Sequence, residues 1–218
     1  HQLGAEVVGI SVDVPSNPSH FEVIGLDGMI KSHFLDIQES DAITSIFEKE
    51  KPDFVFHLAA QALVRTAYDK PLETILTNAM GTTVLLNALR ALSKAVTAVI
   101  ITSDKVYDNV EWKWGYRETD AIGGKDPYSA SKGMAELAIR TFLQSFFNRS
   151  DSTVNLGIAR AGNVIGGGDW AVDRVVPDCV RAWSQKGIVN IRNPEATRPW
   201  QHVLEPLSGY LTLATELT

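Results

Sequence analysis

Short apolar runs alternate along the chain with segments whose apolar positions recur every three or four residues. Residues 5–12 predict a strand, and Gly4 before them reads as the cap of a helix ending over residues 1–3. The polar, proline-bearing residues 13–20 predict a loop, and residues 30–34 a second short strand running into Leu35, Asp36 and Ile37. Ile43, Ile46 and Phe47 share one face of a helix expected over residues 40–49. Residues 53–58 form a buried-type strand ending in Ala59, Ala60 and Gln61. Ile75, Met80, Val84, Leu85, Ala88 and Leu92 mark a long helix over residues 71–92. The most apolar strand, residues 95–102, runs into Ser103, Asp104 and Lys105. A loop rich in Trp and Gly then leads to Asp126, Pro127 and Tyr128, where a second long helix starts and runs to about Phe146. Residues 154–160 predict another strand and residues 161–170 a loop, after which the alternation loosens until an amphipathic stretch over residues 204–217.

Nearly all-apolar strands separated by helices predict an α/β fold, a Rossmann-like doubly wound parallel sheet covered on both faces. In such sheets ligands bind outside the carboxyl ends of the strands. Asp36, Ala60 and Gln61, Ser103 to Lys105, and Asn163 all follow apolar runs directly, so four strand ends are expected to face one crevice.

Composition narrows the function classes. With 44% apolar and 21% charged residues, the 218-residue chain is ordinary globular material, and its apolar runs are far shorter than a bilayer span. A net charge of −6 without a Lys/Arg run disfavours nucleic-acid binding. Cys179 is the single cysteine, and no Cys/His cluster has zinc-ligand spacing, so no metal is expected. No signal peptide is visible, and a reducing cytoplasm fits these features. Both ends read as cuts within a longer chain: the first residue is not Met, and the last helix has no cap.

Tyr128 and Lys132 lie four residues apart at a helix start and project from one face, about 6 Å apart along the axis. An ammonium beside a phenol favours the phenolate, which then serves as a base toward an alcohol. Chance alone supplies about 0.2 such pairs in this composition, and a solvated helix face explains an isolated pair equally well. Ser103, at the end of the preceding apolar strand, adds a hydroxyl able to share a hydrogen bond with the reacting oxygen.

With these residues in hand, the chain resembles the extended short-chain dehydrogenase/reductase family of nucleotide-sugar enzymes. The resemblance rests on His57-Leu58-Ala59-Ala60-Gln61, Thr102-Ser103-Asp104-Lys105-Val106-Tyr107, Tyr128-Ser129-Ala130-Ser131-Lys132, Arg160-Ala161-Gly162-Asn163-Val164 and Arg198-Pro199-Trp200-Gln201-His202-Val203. It implies an enzyme using Ser103, Tyr128 and Lys132 with NAD on a nucleotide sugar. The runs Glu111-Trp112-Lys113-Trp114-Gly115-Tyr116-Arg117-Glu118, Gly166-Gly167-Gly168-Asp169-Trp170 and Ile191-Arg192-Asn193-Pro194 favour the branch that removes water from a glucosyl ring, with CDP-glucose as expected substrate. In that reading Asp104 is the general acid at C6. Lys105 stands where related dehydratases carry Glu and is the base at C5. An epimerase or reductase, another nucleotide, or a module that binds a dinucleotide without chemistry are the competing readings.

The same resemblance assigns Asp36 and Ile37 to the adenine, Leu58, Ala59, Ala60 and Gln61 to the ribose and pyrophosphate, and Thr77, Tyr128 and Lys132 to the nicotinamide end. The glycine-rich turn that should follow the family's first strand is not among these residues, and the tip of the first visible strand, Ser11 and Asp13, leaves NAD against NADP open. Five of the ten arginines fall between Arg160 and Arg198, and guanidinium groups suit a diphosphate. Asn163 and Arg198 are expected on the diphosphate, Arg174 beside them, and Arg192 near the base. Residues 1–160 are expected to form the NAD-binding domain and residues 161–218 part of a smaller substrate-binding region. A homodimer through the two long helices, or a tetramer, completes the expectation.

Overall fold

Strands and helices succeed one another in a computed structural model that describes residues 1 and 4–218. In chain order they are β1 (Val8–Ser11), α1 (His20–Val23), β2 (Lys31–Phe34), α2 (Ser40–Glu50), β3 (Phe54–His57), α3 (Val64–Asp69), α4 (Pro71–Ile75), α5 (Gly81–Ala91), β4 (Val96–Ile101), α6 (Pro127–Phe142), β5 (Val154–Ala159), β6 (Asn163–Ile165), α7 (Val175–Ser184), β7 (Trp200–His202) and α8 (Leu204–Glu216). The helix end expected over residues 1–3 involves Gln2 and Leu3, which lie outside the described residues.

Three details depart from the apolar pattern. A short helix, α3, precedes the long one; its mixture of Arg65, Thr66, Tyr68 and Asp69 carries no clear period. The long helix is not uniform, because α4 passes into α5 through a π-turn at Leu76–Met80, and α6 ends in a second π-turn at Leu143–Phe147. Within the expected loop 161–170, residues 163–165 form a strand that pairs with β7.

The residues gather into two compact units. Residues 1–35 and 163–203 make the first, and residues 36–162 and 204–218 the second. In the first unit β1 pairs in parallel with β2 (Val8 opposite Lys31, Ser11 opposite Phe34) and β6 in parallel with β7. In the second, β4 lies between β3 and β5, again all parallel. The architecture is thus α/β with parallel sheets, Rossmann-like. The strands pair as separate small sheets, whereas the apolar pattern alone predicts one.

The three-stranded sheet is covered on both faces, as its lack of polar alternation requires. Phe56, Val99 and Gly157 share one face by register, and there Val99 packs with Tyr210 and Ala214 of α8. A Cβ on Gly157 would lie 2.7 Å from Leu217 Cδ1, so the absent side chain is what lets α8 approach. On the opposite face His57 meets Thr82 of α5, and Thr102 meets Glu136 of α6. Val96, Val99 and Ile100 are at most 2% exposed, worth roughly 1.5–3 kcal/mol each in transfer from water. This rigid centre fixes the strand ends from which the site is built. Among the described residues no helix is long and apolar enough to cross a membrane, and no cluster of His, Cys, Asp and Glu could hold a metal ion.

Candidate active site

Ser103, two residues past β4 and in extended backbone, caps a single 3-10 turn, Asp104–Val106. Its hydroxyl oxygen accepts the Lys105 N–H (3.2 Å), and the hydroxyl donates to Asp104 Oδ1 (3.1 Å). The Asp104 N–H donates to the carbonyl of Ala161 (3.0 Å), and the carbonyl of Val106 receives the N–H of Gly123 (2.8 Å). Val106 is fully buried and anchors the turn, leaving Asp104 and Lys105 half-buried beside it. The turn therefore presents a carboxyl and an amine side by side just past the strand.

Helix α6 enters through Asp126, whose carboxylate accepts the N–H (3.0 Å) and hydroxyl (2.6 Å) of Ser129, with Pro127 at the first helical position. Helical spacing then sets Tyr128, Lys132 and Glu136 one above another. Lys105 Nζ lies 5.8 Å from the centre of the Tyr128 ring, so the turn after β4 and the first turn of α6 meet at this pair. Lys132 is buried, its Nζ 3.4 Å from the carbonyl of Ile101, and burial lowers its pKa to about 8. Of the five expected catalytic residues, Ser103, Asp104 and Lys105 thus occupy one turn, and Tyr128 and Lys132 the helix face that meets it.

Polar side chains behind this surface join the elements together. Glu136, with no exposed surface, accepts from Thr102 Oγ1 (2.7 Å) and Arg160 Nε (2.7 Å), and pairs with Arg160 Nη2 as well. This carboxylate hydrogen bond, the largest influence, raises the Arg160 pKa beyond its ordinary value. Asn78, in the π-turn, accepts the Gln61 N–H (2.8 Å) and donates to both the Gln61 carbonyl (3.0 Å) and Ser131 Oγ (2.9 Å). Thr82 donates to the Asn78 carbonyl (2.7 Å), so at His57 its oxygen accepts, which fixes the proton on Nε2 (2.9 Å). Burial, with a smaller contribution from Lys132, lowers the His57 pKa to about 3 and keeps the ring neutral. Glu136, Asn78 and His57 support the site and stand outside the residues expected to act in it. Glu136 was findable, since it continues the Tyr128, Lys132 spacing by another four residues.

The expected cofactor positions all belong to the second unit. Asp36 spends its carboxylate on Gln38, accepting from its N–H (2.9 Å) and side-chain amide. Ile37 is buried against Gly81, where any Cβ would overlap its Cγ2. Leu58 is exposed at the end of β3, Ala59 and Ala60 are half-buried, and Gln61 is clasped by Asn78 and by Thr74 Oγ1 (2.9 Å). Thr77 is half-buried in the π-turn beside Asn78. The expected diphosphate and base positions belong to the first unit. Asn163 opens β6; Arg174 directly precedes α7 and is exposed; Arg192 lies 3.5 Å from Asp173; and Arg198 donates to the carbonyl of Thr197 (2.6 Å).

Comparison with known proteins bears on this arrangement. Residues 2–216 match the family model described as GDP-mannose 4,6 dehydratase. The CDP-glucose 4,6-dehydratase of Salmonella typhimurium is 50% identical over 99% of this chain, which spans 61% of that protein's length. Pal from Bacillus thuringiensis shares the fold with a TM-score of 0.84 at 21% identity, over 98% of this chain and 67% of that one. A double mutant of the Streptomyces venezuelae dTDP-glucose 4,6-dehydratase, solved with NAD and DAU bound, gives a TM-score of 0.82 at 21% identity, over 96% of this chain and 62% of its own. The match runs through both units and includes the β4 turn and the start of α6: the chain belongs to the GDP-mannose 4,6 dehydratase family.

Proposed function

We propose that the protein containing this chain is an NAD-dependent hydro-lyase that converts CDP-glucose to CDP-4-keto-6-deoxyglucose. The observation that carries the reading is the meeting of two pairs at the end of β4, Asp104 and Lys105 beside Tyr128 and Lys132. An alcohol dehydrogenase needs the second pair alone. The identity of 50% to a CDP-glucose 4,6-dehydratase supports both the reaction and the nucleotide.

The residues fit a dinucleotide at these strand ends. The end of β3 offers exposed Leu58 and two small residues, Ala59 and Ala60, while Lys132 supplies a buried amine 3.4 Å from the Ile101 carbonyl. NAD bound there would supply a hydride store, taking hydride from C4 and returning it at C6, which leaves loss of water as the net change. Tyr128 accepts the proton of the C4 hydroxyl, with Lys132 favouring its phenolate and Ser103 holding the same oxygen by its hydroxyl. A ketone at C4 acidifies the C5 hydrogen, which the Lys105 amine removes as a proton and gives back to C5 when C6 is reduced. Asp104 protonates the departing C6 hydroxyl. Asp36, Ile37, Leu58 to Gln61 and Thr77 hold the cofactor, and Asn163, Arg174, Arg192 and Arg198 hold the nucleotide diphosphate. Residues 1–160 are then the dinucleotide-binding part, and residues 161–218 contribute to the nucleotide-sugar part.

The two long helices expose Leu72, Leu76 and Met80 on one and Met134 and Leu137 on the other, an apolar set suited to a second copy in a homodimer. The lone thiol of Cys179 suits a reducing compartment such as the cytoplasm. Incubating the full-length protein with NAD and CDP-glucose, or with the glucose of other nucleotides, tests the reaction. A 4-keto-6-deoxy product from CDP-glucose is expected; product from another nucleotide alone refutes the substrate, and no product from any refutes the reaction.

A further inference from the structure

Glu136 and Arg160 take no part in the proton transfers above, yet one carboxylate joins the three elements that carry the site. Through Glu136, helix α6 is bonded to Thr102 at the end of β4 and to Arg160 just past β5. The guanidinium reaches further. Its Cζ lies 4.6 Å from the centre of the Tyr107 ring. Tyr107 stacks on Tyr116 (4.9 Å, 21° between planes), and Tyr116 stacks on Trp112 (5.1 Å, 29°). The Tyr116 hydroxyl accepts the Val110 N–H (2.8 Å) and donates to Asn109 (3.0 Å), which locks that ring into its loop. A column of four flat groups therefore runs from a buried ion pair to the loop after the Asp104–Val106 turn.

The two ends of that turn both depend on neighbours of this guanidinium. Asp104 is bonded to the carbonyl of Ala161, the residue after Arg160, and Tyr107, the residue after Val106, lies against Arg160 itself. Tyr128 and Lys132 are carried separately, on α6. The geometry points to Arg160 as a positioning residue for the water-loss half of the reaction, acting on Asp104 and Lys105 through Ala161 and the Tyr107–Tyr116–Trp112 stack. This inference rests on the dehydratase reading and adds to it a device that separates the needs of C4 oxidation from those of elimination.

Arg160→Lys keeps a cation for Glu136 but removes the planar face and one of the two parallel bonds. In single-turnover experiments on the full-length protein with NAD and CDP-glucose, reduced nicotinamide should appear at a rate within about threefold of the parent and disappear on the order of 30- to 100-fold more slowly, as a misplacement of about 1 Å predicts. Tyr107→Leu should do the same, and Tyr107→Phe, which keeps the ring, should restore the parental decay; this pair carries the test should Arg160→Lys fail to fold. Acrylamide quenching of Trp112, taken as the difference from a Trp112→Phe counterpart, should rise in Arg160→Lys and Tyr107→Leu and stay unchanged in Tyr107→Phe. Equal slowing of both phases, or unaltered Trp112 quenching, overturns the positioning role. A parent that forms neither reduced cofactor nor keto-sugar refutes the dehydratase reading instead, and the role in water loss falls with it.

Discussion

Replacing Glu136 with Gln tests the buried centre of the site directly. The parent carboxylate is wholly shielded, holds two of the three Arg160 nitrogens (Nε and Nη2) and the Thr102 hydroxyl, and faces an arginine side chain only 11% exposed. Gln preserves the shape but removes the charge and turns one acceptor into a donor that faces other donors. Breaking a buried pair by removing one partner costs about 3–5 kcal/mol, and the surviving acceptor puts Gln near the lower end. At roughly 2–4 °C per kcal/mol for a domain of this size, Tm should fall by about 6–12 °C. Circular dichroism melting of the full-length protein measures this, with Arg160→Met and the double variant Glu136→Leu/Arg160→Met completing a cycle. The double variant should be more stable than Arg160→Met alone, because it removes a buried carboxylate otherwise left with only the longer Arg140 contact (3.7 Å) as an ion pair. A Glu136→Gln protein melting within about 2 °C of the parent, or strictly additive losses, would refute the argument.

Other predictions address acid sensitivity, chemistry and packing. The His57 pKa lies at about 3 in the fold against 6.5 in the unfolded chain, so the unfolded state binds the extra proton between these values. Stability from this group is complete above pH 6.5 and falls as the pH drops toward 3, by on the order of 5 kcal/mol. His57→Leu should flatten that part of the acid denaturation curve, since Thr82 already donates elsewhere; an unaltered slope speaks against it. Lys105→Met should leave C4 oxidation within about threefold while slowing water loss by at least 100-fold, as loss of a general base predicts, and equal loss of both steps contradicts the assigned role. Gly81→Ala should cost about 1–3 kcal/mol by forcing Ile37 aside and should weaken NAD binding through the Asp36–Ile37 segment, read by melting and by cofactor titration.

The parts of this molecule legible in its sequence are those with a strong local signal. Strands β3, β4 and β5 are plain as apolar runs, most of all β4, which is buried on both faces, and the polar residues that follow them stand out by contrast. The start of α6 was plain from Asp126-Pro127. Strand β6 was not, because Asn163–Ile165 is too short for a period and forms only by pairing with β7, far along the chain. Tyr128 and Lys132 were visible by spacing. The partnership of Glu136 with Arg160 was not, since it joins α6 to the end of β5 and nothing local announces which buried acid will meet which arginine.

The π-turn at Leu76–Met80 sets a strict count on the chain. Thr74 before it bonds to Gln61, Asn78 within it clasps the same Gln61, and Gly81 and Thr82 after it meet Ile37 and His57. A π-turn accommodates one residue more than an α-turn, so deleting a single residue there would restore a regular helix. The helical turns on either side would keep their relative phase, because the wide turn is what absorbs the extra residue, and the loss would fall on the turn itself. The bonds at stake are those of Asn78 to Gln61 and Ser131, made from inside the widened turn, so the extra residue serves what it binds and not the helix around it.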